Sequence, residues 1–313
     1  MGSLLPPKLP LIDFCKKDVK PGSTYWDSVQ KVVVKALEEF GCFEARYDKI
    51  SVELHNDVFK QLEDLFNLPA GTKRSFVDPQ RPFDGFVADR PLSPLYEAMG
   101  VSGVLYSGGI GKLASLMWPQ GNPKFCETLN PYALRLFELE SLITRMVFRS
   151  FGVEKYLDTH TDSLNDSIRF NRYKAPMTRE TQIGATVHCD KNFLTILQQN
   201  HVNGLEMQTK DGKWFRVEPS ASNFIVMAGE SFLAWSNGRV HSPRHRVMVS
   251  GNETRYSTAW FSSLRGVIQC PPELVDEQHP LLFKPFEELG LLRFYETEQG
   301  FKAESTLKAY CGV

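Results

Sequence analysis

The spacing of apolar positions along this chain changes character near residue 167. Before it the spacing is helical. Val29, Val32, Val33, Ala36, Leu37 and Phe40 form one stripe, and Gly41 follows where a helix-terminating glycine belongs. Residues 52–67 make a second amphipathic helix. Leu134–Phe151, closed by Gly152, makes a long one that is apolar on most sides and therefore partly buried. Leu9–Phe14 and Cys42–Ala45 read as short strands on either side of the first helix. The segment from Lys73 to Gly121 is rich in Pro, Gly and aromatics with no clear period, which predicts loop covering a surface or a pocket.

After residue 167, short β-branched and aromatic runs alternate with turn signals. The runs are Ile168–Tyr173, Phe193–Gln198, Leu205–Gln208, Trp214–Val217, Asn223–Met227, His245–Val249 and Tyr256–Phe261. The breaks fall at Gly204, Asp211-Gly212, Gly229, Asn237-Gly238 and Gly251-Asn252. Many short strands at this interval predict an antiparallel sandwich or barrel. Phe286–Tyr295 reads as a final helix beyond Pro271. The expectation is a mainly β fold with surrounding helices, built as one compact unit over residues 1–313. In it 1–165 is mostly helical, 166–263 is the β core and 264–313 is a C-terminal helical segment. The alternative is a helical domain 1–165 joined to a separate β domain.

Composition narrows the classes. The chain is 42% hydrophobic and 23% charged, with 36 basic against 37 acidic residues, so it carries no electrostatic footprint for nucleic acid. Its six cysteines are scattered without a Cys-x-x-Cys pair, as expected of free thiols in a reducing compartment. The start Met1-Gly2-Ser3-Leu4-Leu5-Pro6 lacks the layout of a secretory signal, and Pro6 stands where a myristoylation signal has Ser or Thr. Cys311 has two residues after it, too few for a prenylation box. No apolar run has the length of a membrane span. A cytoplasmic protein without membrane or nucleic-acid partners, acting as a monomer, is expected.

The chemistry sits in the β region. His188 and Asp190 are two apart, and on a strand such residues face the same way while Cys189 points elsewhere. His245 opens a later strand, with 54 residues between it and Asp190. Two imidazoles and one carboxylate suit a mononuclear iron site with open positions. His241 and His245 could suggest a helical metal pair, but Pro243 lies between them and Asn237-Gly238 is a turn, so His241 reads as a loop histidine. His55, His160, His201 and His279 read as surface or structural. Arg255 and Ser257, the first separated from His245 by nine residues, again share a strand face. A guanidinium beside a hydroxyl is a receptor for a carboxylate. Asn171 and Tyr173 offer an amide and a phenol to the same interior.

Together these residues carry a resemblance. The chain resembles the plant-type 2-oxoglutarate- and Fe(II)-dependent dioxygenases over nearly its full length. Besides the motifs above, it shares Ala36-Leu37-Glu38-Glu39-Phe40-Gly41-Cys42-Phe43 and Trp235-Ser236-Asn237-Gly238-Arg239 with them. Trp118-Pro119-Gln120-Gly121-Asn122, Lys191, and Leu274 to Pro280 make it similar to the branch containing deoxypodophyllotoxin synthase and the alkenyl-glucosinolate-forming enzymes. The resemblance implies a double-stranded β-helix (jelly-roll) core at 166–263. It implies iron on His188, Asp190 and His245, with the distal carboxylate of 2-oxoglutarate on Arg255 and Ser257 and Tyr173 and Asn171 beside it. Ascorbate enters as a reductant. Two departures stand out: Asn171-Arg172-Tyr173-Lys174 replaces the family's Asn-Tyr-Tyr-Pro, and Cys189 replaces Thr.

The implied reaction couples decarboxylation of 2-oxoglutarate, giving succinate and CO2, to hydrogen removal from an unactivated C–H bond. It ends in hydroxylation, desaturation or ring closure. Phe261, Lys191 and the aromatics Phe83, Phe86 and Tyr96 of the covering segment point to an apolar, ring-bearing small molecule of plant specialised metabolism. Two rivals remain: inactivation of a hormone such as auxin or gibberellin, and a jelly-roll binding protein without catalysis.

Overall fold

The computed structural model describes residues 8–16, 19–78, 84–178 and 180–313. Strand β1 (Leu11–Asp13) leads into helix α1 (Thr24–Glu39), whose N-cap Ser23 accepts from the Trp26 N–H at 3.0 Å. The expected stripe is buried through Val29, Val33, Ala36 and Leu37, whereas Val32 faces solvent at 47% exposure. Then come β2 (Cys42–Arg46) and α2 (Val52–Phe66), capped by Ser51.

The segment 73–121, read as loop, is not one. It holds the end of α3 (Ala70–Arg74), strands β3 (Gly85–Val87) and β4 (Tyr96–Ser102), and helix α4 (Gly109–Met117). Glycines lower intrinsic propensity in both β4 and α4, so tertiary pairing decides them. Seven residues of β4, Tyr96 to Ser102, lie in antiparallel register with the next sheet strand.

Helix α5 (Pro123–Ser150) starts eleven residues before the expected Leu134, because Asn122 caps it ahead of a first-turn proline. It packs across the outside of the large sheet. There the Tyr132 hydroxyl lies 2.7 Å from Thr258 Oγ1, and the Trp260 indole donates to Glu140 at 2.8 Å. Short α6 (Leu157–Ser163) leads into β5 (Leu164–Tyr173), β6 (Gln182–His188), β7 (Leu194–Gln199), β8 (Leu205–Gln208), β9 (Trp214–Arg216) and β10 (Asn223–Ala228). After α7 (Glu230–Trp235) come β11 (His245–Val249), β12 (Arg255–Leu264) and β13 (Val267–Ile268). Phe286–Glu287, expected as the start of the last helix, instead forms β14 against β13, and α8 covers Glu288–Tyr295.

Eight strands order β1-β2-β10-β7-β12-β5-β4-β3, and four order β6-β11-β8-β9. Leu197, Ile225 and Met227 of the large sheet pack with Leu205, Met207 and Phe215 of the small one, so the two inner faces enclose a shared core. This is the expected jelly-roll core. Strands β1 to β4, from the N-terminal part, extend its large sheet. Among the described residues, no helix is long and apolar enough to cross a membrane.

The outer face of β5 explains the first sequence departure. Arg172 pairs in register with Glu97 of β4, and Glu97 also meets Lys73 and Lys174, at 2.6 Å, 2.9 Å and 2.8 Å respectively. Burial alone raises the Glu97 carboxyl. Hydrogen bonds from Lys174 and Lys73 and the Arg172 charge outweigh it and hold the pKa at about 2. A carboxylate depressed in the fold contributes stability above its unfolded pKa and loses it as pH falls towards the folded value. Glu97→Gln is expected to cost about 3 kcal/mol, as breaking a buried ion pair does. The variant should also show a shallower decline of Tm than wild type between about pH 4.5 and pH 2. Parallel acid melting of the two proteins would rule this cluster out as an acid-sensitive contact.

Candidate active site

The strand ends of the small sheet bring the first group of side chains together. His188 closes β6, and His245 opens β11 directly across from it in register, with ring centroids 4.2 Å apart. Asp190 does not lie on the strand, as i, i+2 alternation had suggested, but in the turn just beyond it. That turn is pinned. The Glu230 N–H donates to the Asp190 carbonyl at 2.8 Å, and the Ser231 hydroxyl donates to the Lys191 carbonyl at 2.6 Å. Gly229 permits this approach, since a Cβ there would stand 1.9 Å from the Asn192 carbonyl oxygen. The Cys189 thiol turns to the Ser242 carbonyl at 3.6 Å.

Ligand atoms of His188, Asp190 and His245 lie within 4.8 Å of one another. Each is oriented by a contact on its far side. His188 Nδ1 lies 2.8 Å from the Thr186 carbonyl and His245 Nδ1 3.4 Å from that of Pro243, which leaves both Nε2 atoms facing inward. The Thr195 hydroxyl donates to Asp190 Oδ2 at 2.6 Å, so Oδ1 faces the two Nε2 atoms at 3.7 Å each. Burial, and then the charge of His245, bring the His188 pKa down to about 4. Burial pushes Asp190 the other way, yet the two imidazoles and Thr195 outweigh it and hold the carboxyl below its usual value. A neutral imidazole and an ionised carboxylate are the ligating forms. The donor set fits a divalent iron.

These residues line a cavity of about 870 Å³ between the sheets. Arg255 lies behind Tyr173, one of the cavity's lining residues, and is fully buried. Its Nε and Nη2 donate to Gln199 Oε1 at 3.1 Å and 2.8 Å, its Nη1 lies 3.5 Å from Ser257 Oγ, and its guanidinium covers the Tyr173 ring at 4.9 Å. Burial pushes the Arg255 pKa below its usual value, though arginine stays charged. Among the described residues, no carboxylate pairs with it. A buried cation without a counter-ion is costly unless an anion completes the site. Gly204 makes the room, since a Cβ there would meet Arg255 Cδ at 2.8 Å. Asn171 lies beside Ser257, its Nδ2 3.4 Å from the hydroxyl, and its Oδ1 accepts from the Tyr96 hydroxyl at 2.9 Å.

Other expectations fall differently. Phe261 lines the cavity, beneath the Arg169 guanidinium at 5.7 Å. Lys191 also lines it, but its ammonium is held by Glu230 at 2.8 Å and by the Cys189 carbonyl at 3.0 Å, over the Tyr295 ring. Tyr96 packs against Tyr173 with the rings tilted, whereas Phe86 lies under the Lys73 ammonium outside the cavity lining; Phe83 is outside the described residues. His241 is in a loop, as expected. The reading of single motifs missed Thr195, Gln199 and Gly204, because each acts on a residue distant in sequence or by leaving space.

Residues 165–263 match the 2OG-Fe(II) oxygenase superfamily, and residues 9–91 match the N-terminal region of non-haem dioxygenases in morphine synthesis. A probable 2-oxoglutarate-dependent dioxygenase of Arabidopsis thaliana, AOP1.2, is 43% identical over 97% of this chain and 95% of its own length. The chain belongs to the 2-oxoglutarate- and Fe(II)-dependent oxygenases. It is an oxidoreductase of that family, with iron and 2-oxoglutarate as cofactor and cosubstrate. Among solved oxygenases, the rice dioxygenase for auxin oxidation superposes with a TM-score of 0.82 at 28% identity, covering 97% of this chain and all of that one. The Arabidopsis thaliana dioxygenase for auxin oxidation 1, solved with 2-oxoglutarate, gives 0.78 at 26% identity over 87% of this chain and 99% of that one.

Proposed function

We propose that this oxygenase oxidises an apolar, ring-bearing small molecule of plant specialised metabolism by hydroxylation, desaturation or oxidative ring closure. It works as a cytoplasmic monomer and a single unit, without nucleic-acid or membrane partners. His188, Asp190 and His245 hold Fe(II), and Arg255 and Ser257 receive the distal carboxylate of 2-oxoglutarate, with Asn171 and Tyr173 lining its berth. The observation that carries this reading is one cavity with a three-donor cluster on one wall and, behind its lining Tyr173, a buried arginine that no described carboxylate neutralises. Iron with 2-oxoglutarate and O2 supplies the oxidising power for C–H cleavage. The chain's own residues do the positioning. Thr195 fixes which Asp190 oxygen faces the centre, Gln199 holds the Arg255 guanidinium in plane, and the sheet walls exclude water. Phe261 presents a ring to the substrate side.

Oxidation of a hormone acid such as auxin is the second reading, favoured by the likeness to the rice enzyme. The test is succinate release from 2-oxoglutarate in air with Fe(II) and ascorbate. Iron-dependent succinate is expected, and candidate metabolites then rank by how far they stimulate it. A chain that binds 2-oxoglutarate yet forms no succinate with any of them would be a binding protein, and the catalytic reading would fall.

A further inference from the structure

Helix α8 turns Leu289, Leu292 and Tyr295 towards the cavity, at the spacing of three that puts residues on one helix face. Phe301 of the next helix, α9 (Glu298–Lys302), extends this apolar wall. The start of α8 is anchored where the Leu264 N–H donates to the buried Glu288 carboxyl at 3.3 Å, and Leu291 packs into the core. Its last residue is Tyr295, whose ring lies under the Lys191 ammonium at 4.5 Å. Lys191 directly follows Asp190, so this end of α8 stands beside the metal-binding cluster. The phenol registers that position. Burial raises its pKa, and of the charges near it Arg90 acts downwards while Glu230 and Asp190 act upwards.

An ammonium has three N–H groups and accepts nothing. In Lys191 one meets Glu230 Oε2 at 2.8 Å and one the Cys189 carbonyl at 3.0 Å, which leaves the third to face the Tyr295 ring. Lys191 therefore holds the ring and has no donor to spare for a substrate. Lys191 and Glu230 are both buried, and as a pair they put no net charge into the wall. Such a pair adds little net stability, so its effect here is to fix geometry. Glu230 serves both sides of the junction, since its N–H also holds the Asp190 carbonyl. Resting on the oxygenase reading above, we infer that Tyr295 is the ring against which the prime substrate lies at the metal end of the cavity, and that Lys191 is the positioning residue that holds it there.

The experiment uses the full chain with meta-fluorotyrosine at position 295 alone, read by fluorine NMR. Mn(II) is the paramagnetic stand-in for Fe(II), and Zn(II) is the diamagnetic control. The variants are Lys191→Arg, which keeps a cation, and Lys191→Met combined with Glu230→Gln, which leaves neither charge buried alone. In wild type Mn(II) should broaden the signal beyond detection, whereas Zn(II) should leave it sharp. In the paired variant the signal should stay visible with Mn(II) bound, and in Lys191→Arg it should again be lost. Indole and 2-naphthol, as apolar ring probes, should shift the signal of the chain loaded with Zn(II) and 2-oxoglutarate. The concentration giving half of that shift should rise at least about fivefold in the paired variant, the scale of one aromatic contact. A wild-type signal that survives Mn(II), a signal lost equally in the paired variant, or one that neither probe moves would overturn the assignment. Lys191→Arg behaving like the paired variant, or a paired variant unfolded by circular dichroism, would overturn the part given to Lys191, while the wild-type arms still decide Tyr295. Uptake of neither metal would instead sink the oxygenase reading, and the probes on the metal-free chain would still decide Tyr295.

Discussion

His245→Ala is expected to lower iron-dependent succinate formation by at least about 100-fold while leaving the far-ultraviolet circular dichroism of the chain unchanged. Partners that merely orient a ligand already contribute 10- to 100-fold to affinity or activity, so loss of a ligand itself costs more. Only three donors converge among the described residues, and no fourth His, Cys, Asp or Glu joins the cluster to substitute. The fold should survive, because His245 packs at the mouth of a strand whose register is held by Val247 and Arg246 against β8. His188→Ala and Asp190→Ala should behave alike. His241→Ala is the control, since its loop position keeps it out of the cluster, and its activity should stay within twofold of wild type. Isothermal titration with Fe(II) under anaerobic conditions separates loss of metal from loss of turnover. Retained activity in His245→Ala would sink the metal assignment.

The second large effect is on cosubstrate affinity. Arg255→Gln should raise the 2-oxoglutarate concentration needed for half-maximal turnover about 30-fold or more. Removing one partner of a desolvated charge pair costs on the order of 2–5 kcal/mol, and 1.4 kcal/mol is a factor of ten. Iron affinity should hardly change, because Arg255 stands on β12 six residues from Phe261, the residue in register with Thr195, which holds Asp190. The stability readout is the discriminating one. In the 2-oxoglutarate-free chain Arg255 is a fully buried cation with no described carboxylate beside it, so a neutral replacement should leave Tm unchanged or slightly higher. Excess 2-oxoglutarate should then raise the wild-type Tm far more than that of the variant, as binding to the native state alone requires. Equal stabilisation of both would show that the diacid is held elsewhere.

Local pattern made much of this legible. The helix stripes at 29–40 and 52–67 and the β runs after residue 167 appear where periodicity placed them, because one face of each must be apolar to be buried. It failed between residues 73 and 121. There β4 contains Gly100 and lies among prolines and glycines, and its identity comes from pairing with β5. The departure at Arg172 and Lys174 reads as an anomaly in the sequence and as a charge cluster in the fold, since Glu97 stands across the ladder from it.

By itself the sequence determined the residue types and their order: two imidazoles and a carboxylate, then a guanidinium and a hydroxyl two apart on a strand. Strand alternation follows from the chain's covalent geometry, so Arg255 with Ser257 and Asn171 with Tyr173 could be placed on common faces without any tertiary knowledge. What the tertiary structure alone decided is everything set by distance between remote segments. The register of β6 with β11 sets His188 against His245, Thr195 selects the inward oxygen of Asp190, and Gly204 opens the space that Arg255 fills. It also tied the Lys191 ammonium to Glu230, and set Arg169 over Phe261. The physical reason is range. Periodicity records which face of an element is buried, whereas a side chain's partner depends on loop closures of tens of residues that no local pattern encodes.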